Sequence, residues 1–177
     1  ADVNYHEWGH GFHYYNLLSG SWDGSISEGI GDTVAFFQTG DSVISPYFYN
    51  SGSGIRDASP DRVYPDDWIG EVHYDGLIFA GAVWDLWGEL EDELGAEAAD
   101  EALFPLFVSA LRGGPEIPDV YDEFVAADDD NGDLSDGTPH LCAIIDAFSR
   151  HGLGPGGNAA LFSLTTAPVG NQPVTAA

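Results

Sequence analysis

Lysine and methionine are missing from this chain of 177 residues, and its only cations are four arginines, Arg56, Arg62, Arg112 and Arg150. Against them stand 30 Asp and Glu, which leaves a formal net charge of −26. Four scattered arginines assemble no basic patch, so nucleic acid and anionic membrane surfaces are poor partners. The single cysteine, Cys142, excludes an internal disulfide framework and any zinc site built from several cysteines; it reads as a small buried side chain. Nowhere do about eighteen apolar residues run consecutively, so no segment reads as a bilayer-spanning helix. What is present is a core. Apolar types make up 44% and aromatics 13%, too much for a disordered chain and enough for one domain. So acidic a surface keeps a protein soluble by mutual repulsion, in a secreted or a high-salt setting, and we expect secretion. The opening residues, Ala1-Asp2-Val3-Asn4, start in mid-pattern without a signal peptide, which reads as a trimmed fragment lacking a targeting segment and a preceding subdomain.

The pattern along the chain is mainly α, with long irregular loops and little sheet. Val3 to about Leu18 is dense in aromatics and His and free of Pro, and reads as a helix. Ser25-Ile26-Ser27-Glu28 has capping-box spacing and opens a second helix, running to about Gln38. Residues 40–70 hold Gly, Ser, Pro and Asp throughout and read as one long loop, a length that in compact domains is functional or held by something. The strongest helical period runs from about Val72 to Leu94, with Gly95 as its stop. A helix over Ala96–Leu111 follows, with Pro105 predicting a kink or a break, then a short one over Val120–Ala127. Thr138 as N-cap and Pro139 at the first position open the last helix, which ends at His151. Two units result: a helical domain over 1–152 and a Gly/Pro/Thr-rich tail or linker over 153–177.

The chemistry-bearing pattern is His6-Glu7-Trp8-Gly9-His10, an H-E-x-x-H run on the first helix. Residues four apart share a helix face with Cβ atoms about 5–6 Å apart, so two imidazoles can converge on one ion. Glu7 is turned about 100° from His6 around the axis and reaches not the ion but a water bound to it. Zinc that activates water needs a third protein ligand and an open position. Asn16 stands where a metzincin would place its third His. Glu28, after seventeen intervening residues, is reached once the chain has reversed into the second helix, and is the expected third ligand. Asp32 lies one turn further on the same face, placed to bond the free nitrogen of a ligand His and fix its tautomer. His13 shares the face of His6 and His10 but sits too far along the axis to reach their ion; it reads as core or cleft wall.

H-E-x-x-H followed by Glu28-Gly29-Ile30-Gly31-Asp32 resembles the gluzincin zinc metallopeptidases, specifically the thermolysin and fungalysin families. Val72-His73-Tyr74-Asp75-Gly76-Leu77-Ile78-Phe79 is similar to the run that opens a long helix in fungalysin-like enzymes. Ile55-Arg56-Asp57 is similar to a Leu-Arg-Ser stretch of thermolysin-like ones. The resemblance spans roughly residues 3–95. It implies the helical C-terminal subdomain of a zincin fold and a zinc-dependent endopeptidase acting on peptide or protein substrates. By the same resemblance Zn2+ is held by His6, His10 and Glu28, Glu7 is the general base, and His73 donates to the tetrahedral intermediate. Arg56 would bind the substrate carbonyl, and Asp66 or Asp67 would orient His73. The seventeen-residue gap is closer to that of gluzincin aminopeptidases, which makes an aminopeptidase the alternative. The β-rich subdomain that precedes the motif helix in these families has no counterpart, so a non-catalytic, metal-stabilised fragment of a larger peptidase is a further alternative.

A second cluster, Asp128-Asp129-Asp130-Asn131-Gly132-Asp133-Leu134-Ser135-Asp136, gathers hard oxygen donors around a turn glycine, a composition that suits Ca2+. Asp128, Asp130, Asp133 and Asp136 are the expected ligands. The run departs from the EF-hand in the position of Gly132 and in lacking a Glu at the twelfth place, and the plainer reading is a solvated acidic turn. His140 and His151 carry no assignment.

Overall fold

The computed structural model describes residues 1–50 and 53–155, and the chain in it is mainly helical. Six α-helices follow in order: α1 (Asp2–Asn16), α2 (Gly24–Thr39), α3 (Val72–Leu94), α4 (Ala96–Ala110), α5 (Val120–Ala127) and α6 (Leu141–Arg150). No helix among the described residues is long and apolar enough to cross a membrane. Between α2 and α3 the long connection is not wholly irregular. It contains an antiparallel ribbon of two two-residue strands, β1 (Val43–Ile44) and β2 (Arg56–Asp57), with Ile44 opposite Arg56. The core runs along α3, whose Leu77, Ile78, Phe79, Val83, Leu86 and Leu90 are all buried. α2 and α4 pack against α3, α6 packs beside it, and α1 packs on α2.

Several helix ends differ from their expected form. Asp23, not Ser25, caps α2, its Oδ1 accepting from the Ile26 N–H at 2.7 Å. The cap is thus satisfied from outside the helix, and Glu28 is released from capping duty. α6 starts at Leu141 rather than at Pro139. The Thr138 hydroxyl donates to Asp128 Oδ2 at 2.6 Å, and α6 begins from His140 without a side-chain cap. Pro105 does not break α4, which runs through it. The proline is exposed, so the carbonyl it leaves unpaired faces water, while Leu103, Leu106 and Phe107 bury the opposite face. Cys142 is exposed, not buried. Trp84 and Trp87 pack against the core, as expected. The boundary at 152 lies one residue early: Leu153 is buried and its N–H donates to the Phe148 carbonyl. The remainder of the expected tail, 156–177, lies outside the described residues.

Two glycine contacts set the depth of helix packing. A Cβ on Gly31 would stand 2.5 Å from the His6 ring, and one on Gly9 2.7 Å from Gly31 Cα. A Cβ on Gly76 would stand 2.7 Å from the Ser25 carbonyl and 3.0 Å from Glu28 Cβ. Bare backbone at these positions brings α1 and α3 onto opposite sides of α2, with Glu28 between them.

Candidate metal centre

α1 presents His6 and His10 toward α2, where their rings meet edge to face with centroids 4.7 Å apart. Glu28 on α2 faces both: His6 Nε2 is 3.2 Å from Glu28 Oε2, and His10 Nε2 is 3.6 Å from Glu28 Oε1. The distal nitrogen of each imidazole thus turns toward one carboxylate, and the three ligand atoms lie within 4.8 Å of one another. The proximal nitrogens are held from behind. His6 Nδ1 bonds Asp32 Oδ1 at 2.8 Å, and His10 Nδ1 bonds the Ser27 hydroxyl at 2.9 Å. This is the arrangement metal-binding histidines need, with the outer partner fixing tautomer and ring angle while the other nitrogen is offered to the ion. Glu28 Oε2 is sealed from solvent yet has no hydrogen-bond partner. A buried anionic oxygen without a donor is costly, and a divalent cation shared with the two imidazoles would compensate it. The residues present fit zinc: two imidazole nitrogens, one carboxylate, and an open side.

Electrostatics tell the same story. Burial alone would lower the pKa of His6, but Asp32, bonded to Nδ1, and the Glu28 carboxylate facing Nε2 outweigh it and raise the imidazole from 6.5 to about 9. Burial would raise Glu28, yet the adjacent His6, His73 and His10 imidazoles hold it below the ordinary carboxylate range. Asp32 is likewise held low against its burial by His6 and Arg56.

Arg56, on β2, reaches across to Asp32 with both arms of its fork: Nε to Oδ2 and an Nη to Oδ1, each at 2.7 Å. That nitrogen is also 3.9 Å from Glu28 Oε2. The expected contact of Arg56 is with substrate; in the structure two of its nitrogens hold Asp32, the carboxylate bonded to His6 Nδ1. Asp67 is corrected. Its Oδ2 accepts from the Val63 N–H, closing a turn, and Glu71 takes the expected role, with Oε1 2.6 Å from His73 Nδ1. Glu71 also caps α3, accepting from the N–H groups of His73 and Tyr74. His73 Nε2 lies 3.5 Å from Glu28 Oε1, so its half-exposed ring borders the cluster. Glu7 lies on the exposed side of α1, lining a surface groove of about 590 Å³ with Trp8 and Tyr15. His13 is fully buried against Trp22, and neither ring nitrogen has a partner.

The acidic loop does not assemble. Asp128 is buried and occupied: Oδ2 accepts from the Thr138 hydroxyl and the His140 N–H, and Oδ1 is 2.6 Å from His140 Nδ1. Asp133 turns back on Ser135, and Asp136 accepts from the Asn131 side chain. No three of the expected calcium ligands Asp128, Asp130, Asp133 and Asp136 bring ligand atoms within 4.8 Å of one another. Among the described residues, only two sets of three metal-ligating side chains converge, namely His6, His10 and Glu28, and Asp61, Asp85 and His151.

Sequence reasoning missed Ser27, Glu71 and the Arg56–Asp32 fork. Glu71 had a readable signal, standing two residues before His73 at the start of a helix. Ser27 had none, since a serine beside Glu28 is no pattern. No protein family matches the chain, and no curated protein or solved structure is similar to it.

Proposed function

We propose that this protein is a zinc-dependent endopeptidase of gluzincin type. The observation that supports it most is the convergence of His6 Nε2, His10 Nε2 and Glu28 on one point, with both Nδ1 atoms held from behind. A zinc ion bound there would supply Lewis acidity toward a water and a peptide carbonyl. The chain's own residues do the rest. Glu7, next to His6 but turned away from the ligand face, takes the proton of the attacking water and returns it to the departing amine. His73, braced at Nδ1 by Glu71, donates from Nε2 to the oxygen on which negative charge develops. Asp32 and Arg56 keep His6 in register.

The decisive experiment pairs metal content with hydrolysis of an end-blocked peptide, which an aminopeptidase cannot cleave. Glu7→Gln should keep its zinc and lose peptide hydrolysis; a zinc-loaded variant as active as the wild type removes Glu7 from the mechanism and the reading with it. A second reading has support in the outer face of α1, where Trp8 is 61% exposed and Tyr15 85%. Aromatic surface of that kind suits coverage by another domain, such as a β-rich half that completes the cleft. Zinc binding without turnover on any peptide would favour this metal-holding module over the enzyme.

A further inference from the structure

His151 ends α6 with its ring almost entirely buried, far from the cluster on α1 and α2 in sequence and built on different elements. The ring is pinned on one side by Gly81 of α3, where a Cβ would stand 2.5 Å from Cε1. Its Nδ1 is 2.9 Å from the Arg62 carbonyl oxygen. A carbonyl only accepts, so Nδ1 carries a proton. In the neutral ring the lone pair is then on Nε2, and Nε2 faces carboxylates: Asp85 Oδ2 at 3.3 Å, with Asp61 completing a set within 4.8 Å.

A lone pair aimed at an anion is repulsive, so something positive belongs between them. Arg150 meets that need only in part: its Nη1 bonds the same Asp85 Oδ2 at 3.1 Å and its other arm pairs with Glu89, while Asp61 and the His151 lone pair receive nothing from it. A proton on Nε2 would satisfy Asp85 alone. An ion would satisfy all three atoms at once, since ligands about 2.1 Å from a shared centre stand about 3–4 Å apart. Donation of Nδ1–H to a backbone carbonyl with Nε2 left free is the tautomer a metal-binding imidazole adopts.

We propose that Asp61, Asp85 and His151 form a second divalent-metal site. One imidazole and two carboxylates favour an ion of the zinc class over Ca2+ or Mg2+, which take oxygen donors. Entry is open, because Asp61 is exposed and Asp85 lines a surface cleft of about 510 Å³. The three ligands come from the α2–α3 connection, the middle of α3 and the end of α6, so the ion clips the connection down. The clip reinforces a junction already there, where the Tyr64 N–H donates to the His151 carbonyl. That same connection carries Arg56, which braces Asp32.

The test titrates chelator-stripped full-length protein with Co2+, following bound metal per chain, the visible absorption of the ion and melting temperature. The wild type should take two equivalents. Asp61→Ala changes an exposed residue and should leave the fold intact, take one equivalent, and lose the melting-temperature gain that the other gives. His10→Ala should lose only the equivalent at the α1–α2 cluster. Two equivalents in Asp61→Ala, or a single wild-type equivalent abolished by His10→Ala and untouched by Asp61→Ala, overturns the second site. A single equivalent abolished by Asp61→Ala alone upholds the second site and sinks the peptidase reading instead. No bound Co2+ at all overturns both.

Discussion

Around α1 and α2, His6, His10, Glu28, Asp32 and Arg56 arrive from three separate elements and meet largely out of water. Side-chain exposures there run from 1% at Asp32 to 27% at His10. In the 128–136 loop, which holds five aspartates within nine residues, Asp129, Asp133 and Asp136 bond instead to near neighbours in the loop, and Asp128 to Thr138 and His140. The loop has more carboxylates and less of a site. Acids that are adjacent along the chain can satisfy themselves with nearby N–H and hydroxyl groups. Acids held on rigid helices cannot, and their unspent oxygens are what an ion needs. Density of charge in the sequence is thus a poorer guide than convergence from distant positions.

Substitutions can sharpen or break that contrast. The largest effect belongs to His73→Phe, which should lower kcat by roughly 10²–10³, the usual loss of one oxyanion donor, while zinc content stays as in the wild type. An unchanged kcat would confine His73 to the rim. Asp32→Asn should weaken zinc binding by roughly 10–100-fold, the common cost of losing a partner behind a ligand. Competition with a chromophoric chelator reads this directly, and wild-type affinity would mean that Asp32 serves folding only.

Within the loop the expected effects split. Asp128→Ala strands the Thr138 and His140 donors and should cost about 1–3 kcal/mol by denaturant unfolding. Asp130→Ala should stay within about 0.5 kcal/mol. Equal losses would mean that the loop is a cooperative ion site after all. The smallest effect is one of pH. Burial lowers His13 from 6.5 to about 4, so between those values the unfolded chain takes up a proton that the folded one refuses. Stability contributed by the neutral ring is full above about pH 6.5 and declines as pH falls toward 4. His13→Leu should flatten that part of the acid limb in thermal melts; an unaltered slope would assign it to other groups.

The convergence of His6, His10 and Glu28 was legible because helix periodicity fixes which side chains share a face. His6 and His10 follow from four-residue spacing, and Glu28 with Asp32 from the same rule one helix on. The helical architecture followed from apolar period, most clearly over Val72–Leu94. What failed were choices between equivalent local bonds. Asp23 and Ser25 could each cap α2, and Asp67 and Glu71 could each brace His73; only the path of the loop decides. Arg56 was placed in the right neighbourhood without its partner Asp32, because its fork meets Asp32 only once the β1–β2 ribbon lies against α2. Thr138 looked like a cap until Asp128, ten residues earlier, claimed its hydroxyl.

α2 acts as a shim whose thickness is two hydrogens. Gly29 and Gly31 look toward different neighbours, α3 on one side and α1 on the other. A methyl group added at Gly31 would push the His6 ring outward, and one at Gly29 would lift α3, carrying His73 with it. Directed evolution aimed at new ion selectivity can therefore vary the ligands far more freely than the two silent positions between Glu28 and Asp32, where any side chain at all changes the gauge of the cleft.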